Sequence, residues 1–381
     1  MKINGLAIVL ILITAGCLVY LPYEGTRVSE QPAYASPQSL PAYGEINMSF
    51  IYDYLGQFGF WVEYQPYGYV WVPRITLPYW RPYTNGRWVW TDYGWTWYSY
   101  FDWGWLPFHY GRWDWDDQLG WFWVPDVIWA PAWVVWRFSD LYLGWAPLPP
   151  GVEFSFEFGL RWTNRHLPRN YWVFVEARRF QENNLINWIL PPERNLTIIN
   201  LTILRDRFTV RNRKLIIDDA IRPEEIERLT RRPVTLVKLK EAKQPTETGI
   251  AVNTLRIYRP EVIMNKTSPK TILRKEEVRE KMVPVAGEIN PENLEQVHKR
   301  ERNLLEETQK MEIEQLKKKT EEEARVAPPQ EKQEKQSELK SKLEELKKKH
   351  ESEKQNLLKR QSEEKSQIKK GNLKKKSEVQ K

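Results

Sequence analysis

The chain has 381 residues, 58 Lys and Arg against 50 Asp and Glu, a net charge of +8, twenty Trp and a single cysteine. One cysteine excludes a disulfide framework or a multi-cysteine zinc site within one copy. The positive charge is unevenly placed: no Lys occurs between Lys2 and Lys214, and residues 51–150 carry nine Asp or Glu against five Arg. Specific nucleic-acid recognition is therefore not expected, and only the Lys-rich C-terminal part suits nonspecific polyanion contact.

The N-terminus has one positive charge, an apolar run from Leu6 to Ile13, then Thr14-Ala15-Gly16-Cys17. This is the layout of a secretory signal over 1–17. The small residues before Cys17 resemble the lipobox of bacterial lipoproteins, which implies acylation of Cys17 and an outer-membrane or periplasmic-face location; Thr14 departs from the Leu that pattern prefers. An uncleaved anchor, or cleavage elsewhere, is the alternative, and each of the three exports the protein to the cell envelope. Residues 18–50 are rich in Pro, Ser, Ala and Tyr without periodicity, which predicts an extended tether.

Residues 51–150 form a Trp-repeat body. Between Trp80 and Trp123 stand five Trp-x-Trp pairs, 88/90, 95/97, 103/105, 113/115 and 121/123, at the spacing that puts both rings on one face of a strand. The run Trp80-Arg-Pro-Tyr-Thr-Asn-Gly-Arg-Trp-Val-Trp90 returns as Trp105-Leu-Pro-Phe-His-Tyr-Gly-Arg-Trp-Asp-Trp115, so the repeating unit is about two strands. Gly86, Gly94, Gly104, Gly111 and Gly120 mark turns. Trp-Val-Pro or Trp-Ala-Pro at 71, 123, 129 and 145 marks strand ends, because Pro cannot donate to a ladder. Burying one indole removes roughly 150–250 Å² from water, about 4–6 kcal/mol, so most of the rings are expected in a core.

The segments YGYVWVP, WRPYTNGRWVWTDYGWTW, WGWLPFHYGRW, GWFWVP, WAPAWVVWRF and GWAPLPP resemble the Trp-rich exported bacterial proteins of domain-of-unknown-function family 6600, over about residues 52–239. The resemblance implies an envelope location and an all-β body, and no reaction.

Residues 151–240 read as a small α+β appendage, with strands at 172–175, 196–199, 201–204, 208–210, 214–217 and 233–239 and a helix from Ile221 to Leu229 opened by Pro223. Residues 241–289 read as a linker with one extended piece at 254–260. Residues 290–381 read as a charged helical tail broken at Ala327-Pro328-Pro329. Leu339, Leu343, Leu346 and Leu357 suggest a heptad seam that His350 and Glu353 interrupt, which predicts a low-stability coiled coil with weak self-association. The expected fold class is mainly β, an antiparallel meander folded as a sandwich or barrel, with the appendage and the coiled tail.

Chemistry-bearing patterns are sparse. There is no Gly-x-Ser-x-Gly elbow and no phosphate loop, the four histidines are His109, His166, His298 and His350, and no catalytic residue, metal or cofactor is expected. Asp114-Trp-Asp116-Asp117-Gln-Leu-Gly120 reads as a turn. The expectation is a non-enzymatic envelope protein, structural or binding peptidoglycan or a surface polysaccharide; the alternatives are a carbohydrate-binding module and, more remotely, a polysaccharide-active enzyme. If it is a carbohydrate-binding module, the candidate stacking residues are Tyr98, Trp103, Trp105 and His109 with Asp102 at the rim. If the tail holds a polyanion, the candidates are Lys317, Lys318, Lys319, Lys347, Lys348 and Lys349.

Overall fold

The computed structural model describes residues 44–379, apart from 76–79, 156, 158, 162–165, 212–214 and 283–290. Cys17, the signal and residues 18–43 of the expected tether lie outside the described residues. Pro41–Lys381 forms one compact unit.

The tether gives way to folded chain sooner than its composition suggests. Strand β1 (Glu45–Asn47) leads into helix α1 (Met48–Gly56), whose first turn is capped by the Asn47 side chain accepting from Phe50 N–H at 3.1 Å. The helix buries Met48, Ile51, Tyr52, Tyr54 and Leu55.

Four hairpins then follow: β2 (Gly59–Tyr64) with β3 (Gly68–Pro73), β4 (Gly86–Thr91) with β5 (Gly94–Ser99), β6 (Arg112–Asp116) with β7 (Gly120–Val124), and β8 (Val134–Phe138) with β9 (Tyr142–Pro147). The Trp repeat is a register device. Trp61 faces Trp71, Trp88 faces Trp97, Trp90 faces Trp95, Trp113 faces Trp123, Trp115 faces Trp121 and Trp136 faces Trp145 across the ladders. Cross-strand aromatic pairs are among the stronger sheet contacts, and a one-residue slip would turn each indole to the other face.

The expected pair Trp103/Trp105 is different: residues 101–110 are turns, with Phe108 N–H bonded to Gly104 and Tyr110 N–H to Leu106, so these two rings are not strand partners. The hairpins become three four-stranded sheets: β2/β3 and β6/β7 join through β3 and β7, with Trp71 opposite Trp123, and later chain returns to complete the other two. Beyond β10 (Glu153–Ser155) and β11 (Gly159–Arg161), strand β12 (Val173–Glu176) adds to β9. Residues 196–199, expected as a strand, belong to helix α2 (Asn195–Asn200): a turn opened by Pro192 leads into it, and the Asn195 side chain donates to the carbonyls of Arg169 and Trp172. Strand β13 (Ile203–Arg205) pairs with β8; β14 (Phe208–Arg211) and β15 (Leu215–Asp218) extend the β4/β5 sheet.

The sheets meet through indoles. Trp88 lies 4.5 Å from Trp136 and 5.6 Å from Trp145, centroid to centroid, while Trp71 meets Trp103 of the 101–110 turns at 5.0 Å.

Helix α3 (Pro223–Thr230) forms as its sequence predicts, and the following strand, β16 (Lys238–Ala242), lies later than expected. Residues 241–289 are not simply a linker. They supply β17 (Gly249–Ala251), β18 (Thr254–Tyr258), β19 (Glu261–Ile263) and α4 (Lys275–Met282). β19 pairs with β1, and Val278 of α4 packs against Phe60, Val62, Val70, Val72 and Phe122. The body is mainly β, as its repeats imply, and the C-terminal part is helical: α5 (Pro291–Val326) and α6 (Pro329–Val379) form an antiparallel hairpin broken at Ala327-Pro328. Among the described residues no helix is long and apolar enough to cross a membrane.

Candidate functional site

Three of the five expected stacking residues are core. Trp103 packs on Phe101, its ring centroid 4.5 Å away; Trp105 donates its indole N–H to Tyr54 Oη at 3.0 Å; His109 stacks on Trp129 at 5.5 Å, and all three are buried. Burial pushes the His109 imidazole down to about 4, with Nδ1 3.0 Å from the Ala130 carbonyl. A ligand cannot stack on these rings without unfolding the turns that carry them. Of the five, Tyr98 is half-buried, under the Arg87 guanidinium at 5.9 Å, and Asp102 is exposed.

Among the described residues the most exposed indole is Trp115, 38% exposed at the end of β6. Its N–H donates to Asp117 Oδ1 at 3.1 Å and its ring meets Trp121 edge-on at 5.7 Å. Acid and tyrosine groups surround it. Tyr171 Oη bonds to Asp114, and Asp116 accepts from Tyr64 Oη at 3.0 Å and from Lys275 Nζ at 2.9 Å. Against the cost of desolvation, Lys275 and the N–H groups of Gln118 and Leu119 hold the Asp116 carboxyl down at about 2. The two N–H contacts are those of a turn, as the sequence implies. Among the described residues no group of three His, Cys, Asp or Glu side chains is placed to hold a metal ion.

The most elaborate polar cluster was not foreseen. Arg194, which ends a Pro-initiated turn in the body, is fully buried and reaches both helices of the C-terminal hairpin: Nη1 donates to Glu353 Oε2 at 2.8 Å and Nη2 to Glu312. Tyr142 Oη donates to Glu312 Oε1 at 2.8 Å, Thr197 Oγ1 to Glu353 at 2.6 Å, and His350 Nε2 lies 2.8 Å from the second Glu312 oxygen. Desolvation alone would raise Glu312; His350 and Arg194 outweigh it and hold the carboxyl below its ordinary range. Desolvation opposes the Arg194 charge in the same way, and the two carboxylates raise its pKa regardless.

About two turns further along α6, Arg360 bridges Glu193 of the body and Glu301 of α5. Beside it His298 and Glu364 share a hydrogen bond; burial pushes the histidine down to about 4 and the carboxyl up to about 7. The residues that interrupt the apolar seam are thus its docking groups. The visible signal was the recurrence of His298, Glu312, His350, Glu353, Gln361 and Glu364 at seam spacing; the partner in the body gave none.

Docking is confined to one half of the hairpin. Leu294, His298, Leu304, Leu305, Thr308 and Glu312 of α5, and His350, Glu353, Leu357, Gln361 and Glu364 of α6, are buried. Between 313 and 349 no described side chain is buried, and only seam positions such as Leu316, Leu339, Leu343 and Leu346 are half-covered. That half projects about 20–30 Å at 1.5 Å per residue. All six candidate lysines are exposed on it; Lys318 lies 3.9 Å from Glu322 and Lys349 3.0 Å from Glu345. Exposed pairs of this kind are worth only a few tenths of a kcal/mol and leave the ammonium groups exchangeable.

No curated protein and no solved structure matches the chain. The match to a family model stops at Val152, short of the span to residue 239 over which the resemblance was drawn, and covers the four Trp hairpins. Residues 52–152 of this chain match DUF6600, a family of unknown function.

Proposed function

We propose that the protein is a non-enzymatic structural component of the bacterial cell envelope, in which a Trp-cored body carries a rigid, Lys-bearing helical arm toward a polyanionic wall polymer. The observation that carries this reading is the buried Arg194 held by carboxylates from both helices, which turns a charged tail into an arm of fixed attachment. Export and membrane attachment through Cys17 or an uncleaved anchor rest on the sequence of residues 1–17. The lysines at 317–319 and 347–349 are the proposed polymer contacts, and the arm's half-covered seam suits weak self-association. With Trp103, Trp105 and His109 enclosed, the body is a support rather than a reacting surface.

A second reading, a carbohydrate-binding module, is favoured by the exposure of Trp115 among Asp114, Asp117 and Tyr171. Sugar rings stack their C–H faces on indoles while carboxylates take the hydroxyls. Co-sedimentation of the full chain with insoluble peptidoglycan at low and high salt separates the two. Retention lost at high salt and on substitution of the six lysines by Gln supports the arm. Retention indifferent to salt and lost in Trp115→Ala supports the module. Saturable turnover of the polymer would overturn both.

A further inference from the structure

The small sheet formed by β16, β18 and β17 has an outer face that the proposed function does not use. β16 and β18 run parallel, with Lys238 beside Thr254 and Lys240 beside Arg256. Alternation puts Leu255 and Ile257 inside, where both are buried, and leaves Lys238, Lys240 and Arg256 exposed together on the outer face. Of the nearby carboxylates, Glu241, at an inward register position, pairs with Arg259 at 2.6 Å, and Asp92 is fixed at the edge of β16, accepting from the Leu239 backbone N–H at 3.1 Å.

At one end of this basic face the chain turns between β17 and β18 through Val252, which is 95% exposed and has φ +51°. A β-branched residue in the left-handed region is an outlier that ordinary turn chemistry would fill with Asn or Gly. Lys238 N–H donates to the Asn253 carbonyl at 2.9 Å, which draws the preceding residues against the same turn; among them Leu236 is 55% exposed. Strain and exposed apolar surface therefore coincide beside three cations.

We propose that this end of the molecule docks on an anionic lipid surface, with Val252 and Leu236 entering the headgroup layer and Lys238, Lys240 and Arg256 meeting the lipid phosphates. A soluble polyanion would use the cations and leave the apolar tip without a role. A lipid interface uses both, since apolar insertion and basic residues near the surface add to one another.

Hydrogen exchange of the full chain tests this, because any attachment through the N-terminus brings every variant to the vesicles equally. In phosphatidylethanolamine–phosphatidylglycerol vesicles the peptides spanning 234–240 and 249–256 are expected to slow, and in phosphatidylcholine vesicles they are not. Val252→Asn removes the slowing while raising the thermal midpoint, since Asn tolerates the turn conformation. Leu236→Asn weakens the slowing, and K238Q/K240Q/R256Q reduces it about a hundredfold. Equal slowing in both vesicle types, slowing by dextran sulfate that Val252→Asn retains, or no slowing in anionic vesicles would each overturn the proposal.

Discussion

Arg194 and Glu353 lie 159 residues apart in the chain and 2.8 Å apart in the fold, with Arg194 completely buried. The partner on the other helix, Glu312, shares the same guanidinium, so a single body residue fixes both helices of the hairpin at one level. A buried ion cluster is a weak source of net stability. Removing one member leaves the others charged and unpaired, which costs about 3–5 kcal/mol. Arg194→Met should therefore detach the hairpin, seen as proteolysis within 294–312 while the body keeps its near-ultraviolet signal. Replacing all three, R194M/E312L/E353L, should restore most of the loss.

Asp218 makes stability depend on pH in a known direction. It is fully buried; burial pushes its carboxyl up to about 8, against the opposing effect of the Trp136 indole N–H at 2.8 Å and the Ala220 N–H. Between the ordinary value of 3.8 and about 8 the unfolded chain has released a proton that the folded chain keeps. Stability contributed by this group is present below that window and is lost as pH rises through it. Asp218→Asn should remove that slope, so the difference in melting temperature between variant and parent should grow in the variant's favour from pH 5 to pH 8.

Truncating indoles should distinguish core from surface. Trp103→Ala empties a buried site among Trp71, Phe101 and Phe108 and should cost about 3–5 kcal/mol in chemical denaturation. Trp115→Ala should cost about 1 kcal/mol, because much of that ring already faces water.

Gly94 marks where β5 meets β15. It has φ +80°, and a Cβ there would stand 2.0 Å from the Asp218 carbonyl oxygen. Gly94→Ala meets both the steric limit on φ and a backbone collision, so it should destabilise by more than about 1 kcal/mol and shift the Asp218 environment, read in the same pH series.

The hairpins were legible because local chemistry specifies them: Gly at the turns and Trp at alternate positions act within a few residues of each other. Trp103 and Trp105 share that spacing yet lie in turns, since residues 104–110 bond back on themselves and leave no partner strand. Of the strands in 241–263, β18 was legible as the extended piece at 254–260, and β16, β17 and β19 were hidden because each is short; β19 pairs with β1 from the far end of the body. Helix α2 was hidden because β-branched residues at 197–199 read as a strand, and the Asn195 bonds to residues 169 and 172 decide otherwise. The polar seam residues looked like faults for the same reason: periodicity shows which face of a helix is turned inward and says nothing of a buried arginine waiting there.

The central claim is that the body and the inner half of the hairpin unfold as one unit while the outer half stands free. Native-state hydrogen exchange of the full chain, resolved along α5 and α6, tests it most directly. Amides in 298–312 and 350–364 should exchange with the free energy of the body's Trp strands, those in 313–349 should exchange faster, and Arg194→Met should bring the inner half down to the outer rate. Equal, fast exchange along the whole hairpin in the parent protein would contradict the account and return residues 290–381 to an unattached charged tail.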